Sequence, residues 1–470
     1  MKEWETLNKW QMTNGKGQID DFVQTLLKNR GIKTRKEIED FLNPKLSGVT
    51  ISSVKISLPQ VKKSVDRIKK AIKNKEQIVV FGDYDVDGVC GTAVLWETLN
   101  DLGAKVMPYI PNRIDQGYGL SEKGINNLLI SINNCTLIIT VDNGIVANKA
   151  VEFAKKQGID VIITDHHVPS EKLPKAFSIV HTTLLCGTGV AYVLARKLKI
   201  EQDDHLALVA LATVSDMVPL LGANRTLLKY GLLELQKTKR PGLLALFKEA
   251  QINRNAVGVY EIGHIIAPRL NAMGRLESAM DSLRLICTIS NKRAEKLAYK
   301  LAGTNKERQN ITEEAVLHAK AKVRASNFEK EKLLFISDES YEQGVIGLVA
   351  GRLVEEFYLP SIVISKGDIY SKASARSVSG FNIIEFIRNE LELLVDVGGH
   401  PMAAGFTVET TKLAFLEKKL KIRVKKMLGE EKFKRLLRID LELPVSKLNQ
   451  SFYDAIQKLH KLLTVPHQIR

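Results

Sequence analysis

Three aspartates at alternate positions in Asp83-Tyr84-Asp85-Val86-Asp87-Gly88 are the densest concentration of potential chemistry in the chain. Alternation in an extended segment puts them on one side, where their mutual repulsion is costly unless cations neutralise it. The pattern therefore asks for a bound divalent metal. A calcium loop of the EF-hand kind is excluded, because the twelfth loop position lacks its Glu. Asp142 in Val141-Asp142-Asn143-Gly144, the run Asp165-His166-His167, and Asp216 in Ala212-Thr213-Val214-Ser215-Asp216-Met217-Val218-Pro219 add further carboxylates and imidazoles. A carboxylate-rich set with one imidazole suits manganese or magnesium better than zinc.

The elements that must position these groups are legible around them. The apolar run Ile78-Val79-Val80-Phe81 closes in Gly82-Asp83, Leu137-Ile138-Ile139-Thr140-Val141 ends in Asp142, and Val161-Ile162-Ile163-Thr164 ends in Asp165. Helical stretches around Val94 to Leu102 and Val146 to Gln157 lie between them, and an amphipathic helix from about Leu58 to Ile72 precedes them. Strands apolar on both faces, alternating with helices, predict a parallel α/β sheet. Ligands of such sheets bind beyond the carboxyl ends of the strands, so three strands each delivering an Asp there converge their carboxylates on one crevice.

Organisation along the chain follows the same cues. Residues 1–55 are expected to form a helical lead-in, with Asn43-Pro44 as a stop, and 56–290 the parallel-sheet domain. A long helical connector rich in Ala, Lys and Glu spans 291–325, and a second, smaller α/β domain spans 326–410, with strands at Lys332-Leu333-Leu334-Phe335-Ile336 and Ser361-Ile362-Val363-Ile364. Residues 411–470 form a basic C-terminal segment in which Arg438-Ile439-Asp440-Leu441-Glu442-Leu443 reads as a strand and Ser451 to Leu463 as a helix. Gly187-Thr188-Gly189-Val190-Ala191 lacks the Gly-Lys-Ser/Thr ending of a nucleotide loop and is accounted for by close helix packing.

Composition narrows the partners. Over 470 residues, the 44% hydrophobic and 26% charged fractions are those of a soluble globular protein, long enough for two or three domains. No run of about 18 or more uncharged apolar residues is present, and the N-terminus Met1-Lys2-Glu3-Trp4 lacks the apolar core of a secretory signal, so a cytoplasmic protein with no membrane partner is expected. Four scattered cysteines indicate neither a zinc knuckle nor a disulfide framework. The net charge of +16 points to a polyanionic partner. From Thr411 to Arg470 there are 15 Lys/Arg and 6 Asp/Glu, an excess of nine, on a helix whose Leu413, Leu416, Leu420, Val424 and Met427 recur at amphipathic spacing.

Taken in order, Asp83-Tyr84-Asp85-Val86-Asp87-Gly88, Val141-Asp142-Asn143-Gly144, Asp165-His166-His167 and Ser215-Asp216 resemble the successive motifs of the DHH phosphoesterase superfamily. Pro268-Arg269-Leu270-Asn271-Ala272 followed by Gly274-Arg275 narrows the resemblance to the RecJ exonucleases. Gly344-Val345-Ile346-Gly347, Ser374-Ala375-Arg376-Ser377 and Gly398-Gly399-His400-Pro401-Met402-Ala403-Ala404-Gly405 resemble the signatures of the associated DHHA1 domain. The match runs from about Leu27 to Thr407.

The resemblance implies a metal-dependent exonuclease on single-stranded DNA, acting 5′ to 3′ in repair and recombination, with two divalent ions, Mn2+ or Mg2+. By it, Asp85 and Asp87 bind one metal each, Asp142 bridges them, and His166 and Asp216 complete the set. Asp83 and Asp165 orient those ligands. His167, Arg275, Arg376 and His400 contact phosphate, with Asn112, Arg113, Arg269, Asn271 and Ser374 as further nucleic-acid contacts. A single-strand-binding protein or a helicase is an implied partner.

Two rival readings stand beside this one: a DHH phosphodiesterase of short oligonucleotides or cyclic dinucleotides, and a single-stranded-DNA-binding scaffold without catalysis. The former lacks the lead-in and the connector motif, and the latter predicts eroded ligands, none of which is eroded here. The sequence departs from the family at His181-Thr182-Thr183, where an Asn-Pro turn is usual, and at Tyr341-Glu342, where a Trp-His pair is common. In the family, the segment resembling Arg438 to Leu443 opens an OB-type barrel of about five strands. A single strand cannot build that platform, so single-stranded DNA is expected to bind weakly and salt-sensitively, through the basic run from Lys418 to Arg438.

Overall fold

The computed structural model describes residues 2–9, 18–117, 119–199, 204–326, 328, 331–428 and 433–460. Contacts divide the chain into two compact units, one of Lys9–Asn305 with Leu441–Arg470, the other of Met1–Asn8 with Lys306–Asp440. The boundary falls inside a single 35-residue helix, Asn291–Ala325, at the place of the expected connector.

The larger unit is built on a five-stranded, wholly parallel sheet. Its order is Val106–Tyr109, Gln77–Gly82, Cys135–Val141, Asp160–Asp165 and Ser178–His181. Alternate residues of each strand enter opposite cores: Ile78, Val80, Leu137, Ile139 and Ile162 pack with the helices Val86–Asp101, Gly187–Leu198 and His205–Ser215. Val79, Phe81, Ile138, Val161 and Ile163 pack on the other face with Ile125, Leu128 and Val151. This is why the strands read as continuous apolar runs, with no polar alternation. The second strand in sequence is added to one side of Gln77–Gly82 and the third to the other, so strand order reverses between Gln77–Gly82 and Cys135–Val141. Their carboxyl ends form the crevice where such sheets take ligands.

In the smaller unit the sheet is mixed. Leu394–His400, Ala403–Glu409, Tyr370–Arg376 and Ser361–Ser365 run antiparallel in that order, and Leu334–Asp338 joins Ser361–Ser365 in parallel. The helix Leu413–Leu428 belongs to this unit's core, burying Leu413, Leu416, Leu420 and Val424 against Phe335, Ile364 and Phe406. This unit therefore extends past the end expected for it at residue 410. Cutting there removes four buried apolar side chains, and a Leu→Ala change alone at such a site costs about 2–5 kcal/mol.

A second correction concerns the lead-in, which is not helical from its start. Lys2–Thr6 is a strand paired in parallel with Arg435–Ile439. Among the described residues helices follow at Gln18–Asn29 and Arg35–Leu42, the latter opened by a capping box between Thr34 and Glu37. A five-residue strand whose partner lies more than 400 residues away leaves no periodic signal of its own. The C-terminal strand begins earlier than read, at Arg435, and the last described helix is Gln450–His460, residues 461–463 of the expected helix lying outside the described residues.

Candidate metal centre

Register sets the geometry. Gly82 pairs with Val141, and Val141 with Thr164, so the next residues along three neighbouring strands are Asp83, Asp142 and Asp165. All three are buried. Asp142 adopts the left-handed region at φ 62°, a conformation that Asp tolerates better than most residues, and its N–H donates to the Thr164 carbonyl at 3.0 Å.

Two helix N-termini aim at the same place. Asp85 caps Val86–Asp101, its Oδ1 accepting from the N–H groups of Asp87 at 2.9 Å and Gly88 at 3.1 Å. Asp87, in the first turn, accepts from the N–H groups of Gly187 and Thr188, each at 2.6 Å, where the helix Gly187–Leu198 begins. Both carboxylates thus sit at the positive ends of helix dipoles. Gly187 also passes close to Asp142, since a Cβ there would stand 2.6 Å from both Cβ and Oδ1 of that side chain. Packing was the sequence reading of this glycine. The structure adds its N–H and that of Thr188 as donors, a role no motif announced.

Around these carboxylates the expected ligands converge. His166 Nε2 lies 3.1 Å from Asp142 Oδ1, 3.6 Å from Asp216 Oδ2 and 3.8 Å from Asp87 Oδ2. Three overlapping groups have donor atoms within 4.8 Å of one another: Asp83 with Asp85 and Asp142, Asp87 with His166 and Asp216, and Asp142 with His166 and His167. Asp216 is delivered by the end of the helix His205–Ser215, after which Met217 turns left-handed.

Asp165 is engaged elsewhere. Its Oδ2 accepts from Ile145 N–H at 2.9 Å, and its Oδ1 from the N–H groups of His166 and His167 and from His167 Nδ1 at 2.8 Å. His181 Nε2 meets the His167 carbonyl at 2.7 Å, and Asn143 ties Leu120 N–H to the carbonyls of Phe81 and Val141. Neither of these two supports was found in the sequence, because a hydrogen bond made across the fold has no local signature.

Electrostatics test whether a cation fits. Burial, then the charges of Asp87 and Asp85, raise Asp142 well above the usual carboxylate range and push Asp216 up to about 9. Burial and Asp85 do the same to Asp83. His166 is lowered, by burial first. Burial also opposes charge on His167, but its hydrogen bond to Asp165 outweighs that and raises it to about 9. Asp83 Oδ1 and His166 Nε2 are buried with no hydrogen-bond partner among the described residues. Hard oxygen donors, one imidazole and orphaned lone pairs that repel one another fit divalent cations such as manganese or magnesium.

The remaining predicted contacts fall into two sets. In the larger unit the Arg113 guanidinium lies 5.1 Å from the Tyr84 ring centroid, and Arg275 acts electrostatically on the same phenol. Asn112 N–H donates to Gln116 Oε1 at 3.0 Å. Arg269 is held by Glu249 at 2.9 Å and by the Ile265 carbonyl, and Asn271 Oδ1 accepts from Val86 N–H at 2.9 Å. In the smaller unit Arg376 and His400 both pair with Ala403, one from each side, so the three share a cross-strand row and a face. Arg376 donates to Ser374 Oγ at 3.1 Å and rests on Gly347, where a Cβ would meet its guanidinium at 2.8 Å.

Comparison with known proteins bears on the same residues. Residues 77–213 match the family model described as "DHH family, N-terminal domain", and residues 330–426 match the DHHA1 domain. The chain is 37% identical over 437 residues to the single-stranded-DNA-specific exonuclease RecJ of Bacillus subtilis (strain 168), covering 90% of this chain and 55% of that one. It is 31% identical over 441 residues to RecJ of Escherichia coli (strain K12), covering 86% and 74%. Among solved structures, RecJ from Thermus thermophilus in complex with Mn2+ superposes with a TM-score of 0.81 at 26% identity, covering 97% of this chain and 67% of that one. The chain thus spans about half the length of the Bacillus relative and about three quarters of the Escherichia one.

Gly187→Ala is expected to lower stability by about 1–3 kcal/mol, because the methyl must displace Asp142 or the helix start. Manganese affinity should fall with it. Urea unfolding and calorimetric manganese titration check this, and parental values in both would refute it.

Proposed function

The chain belongs to the RecJ family of single-stranded-DNA-specific exonucleases, and from that premise we propose that it hydrolyses the phosphodiester bonds of single-stranded DNA from an end, using two divalent cations. The observation that carries the reading is the convergence of Asp87, Asp142, His166 and Asp216 on one volume, with Asp83 and Asp85 beside it. Asp85, Asp87, Asp142, His166 and Asp216 would hold the ions, Asp142 serving both. When bound, the pair supplies Lewis-acid stabilisation of the phosphate and a water of lowered pKa. The residues keep the donors in place: Asp165 fixes the His167 ring and the backbone at His166, and the two helix N-termini orient Asp85 and Asp87.

On the larger unit Arg113 and Arg275, and on the smaller unit Arg376, His400 and Ser374, are the groups that bind phosphates of the substrate. Digestion runs 5′ to 3′ and serves DNA repair and recombination in the cytoplasm, in concert with a single-strand-binding protein or a helicase. Among the described residues no helix is long and apolar enough to cross a membrane.

Asp142→Ala should reduce turnover by about 100-fold or more and weaken manganese binding, since no neighbour can replace a shared carboxylate. Digestion of single strands labelled at each end in turn reads both rate and polarity. Activity within about tenfold of the parent would rule out the shared role, and first release of a 3′ label would rule out the polarity.

Arg376→Ala and His400→Ala should cut kcat by about 100-fold while manganese affinity stays parental, because these groups act on the phosphate. Loss of manganese in titration of either variant would show the assignment to be wrong.

Lys418, Lys425 and Lys426 are exposed on the helix Leu413–Leu428. Replacing all three by Gln should flatten the slope of log affinity against log salt for a long single strand by about 2, at roughly 0.7 per lost phosphate contact. An unchanged slope would show that this helix does not touch DNA.

A further inference from the structure

We infer that Asn271 and Gly274 are positioning residues for the metal-binding loop, acting on the ions through Tyr84 and Val86 and not on the nucleic acid. The inference rests on the metal reading above and assigns Asn271 a role other than the phosphate contact its motif suggested.

Asp83, Asp85 and Asp87 alternate along the chain, so Tyr84 and Val86 are the residues by which the loop between them can be gripped without occupying a carboxylate. The helix Ala267–Leu276 grips both. Asn271 Oδ1 accepts from Val86 N–H at 2.9 Å, across 185 residues of sequence. One turn on, on the same helix face, Gly274 lies so near the loop that a Cβ would stand 2.3 Å from the Tyr84 carbonyl oxygen and 3.2 Å from its Cβ. The Tyr84 ring carries the Arg113 guanidinium, so the loop is held from its backbone and from its side chain.

The hydrogen bond from Val86 completes a set. Val86 opens the helix Val86–Asp101, whose first N–H groups have no partner within the helix. Asp85 Oδ1 takes those of Asp87 and Gly88, the Asp85 carbonyl takes that of Val89, and Asn271 takes that of Val86. A neutral amide does this without adding another negative charge beside the crowded carboxylates of the site. The support is itself anchored: Leu270, Ala272 and Met273 are buried, Ser282 Oγ donates to the Leu270 carbonyl at 2.8 Å, and Arg269 is paired with Glu249. Supports of this kind typically set metal affinity by about 10–100-fold.

The test is manganese titration by calorimetry together with binding of a long single strand in EDTA. Asn271→Ala should lose about tenfold or more in manganese affinity, with metal-free DNA affinity within about twofold of the parent. Asn271→Asp, which keeps the acceptor but adds a negative charge beside the other carboxylates, should recover only part of the lost manganese affinity. Gly274→Ala, which leaves every hydrogen bond donor and acceptor in place but drives a methyl toward the Tyr84 carbonyl, should shift manganese affinity in the same direction. Parental manganese affinity in a folded Asn271→Ala or Gly274→Ala protein overturns the inference, as does a loss confined to DNA binding. A parent that binds manganese but leaves single-stranded DNA intact would sink the proposed activity alone. A parent that binds no manganese would sink both.

Discussion

Like-charge repulsion in a dry crevice is the constraint on which the larger unit is organised. Asp83, Asp87 and Asp142 are almost wholly buried, and Asp85 and Asp216 stand beside them. Two such groups a few ångströms apart cannot both keep their charge without compensation. The compensation built into the protein is directional: helix N-termini at Asp85 and Asp87, and an imidazole at the centre. What the backbone leaves uncompensated, divalent cations complete. A parallel sheet is well suited to this, because it delivers side chains from several strands to one edge and surrounds that edge with helix starts.

Much of this was readable without coordinates, for a physical reason. Strands buried on both faces are written as unbroken apolar runs, and each run here stops at an aspartate, so the sheet and its acidic edge were legible together. The carboxylates and imidazoles that converge were legible through their local motifs. The donors that hold those ligands were not: the N–H groups of Gly187 and Thr188, the Asn143 clamp, and the bond between His181 and the His167 carbonyl all join residues distant in sequence. The short strands Val106–Tyr109, Ser178–His181 and Lys2–Thr6 were missed likewise. Four or five residues carry too little periodicity to be distinguished from a loop until a partner strand is present.

The smaller unit illustrates how a charged helix can be misjudged. Its last helix looks like a removable basic tail when charges are counted, yet one face closes the apolar core while the other exposes Lys418, Lys425 and Lys426. Glu390, buried on the same unit, is satisfied by Arg423 and Lys419 from that helix. The positive charge is partly structural, Lys425 itself lying 3.5 Å from Glu331, and only the remainder is available to a polyanion.

The left-handed backbone at Asp142 makes its position unusually intolerant of change. A backbone at φ 62° favours Gly, Asn and Asp, although Met217 and Tyr358 show that other residues enter this region at a cost. Of the favoured three, only Asp brings a negative carboxylate to the crevice, and its side chain must fit the narrow gap left by Gly187. Three independent filters, one steric, one conformational and one electrostatic, intersect in a single amino acid. Sequence drift at this position therefore has no neutral path: every single-residue step away from Asp fails at least one filter, and a gradual exchange with a compensating change elsewhere would have to relocate the strand end itself.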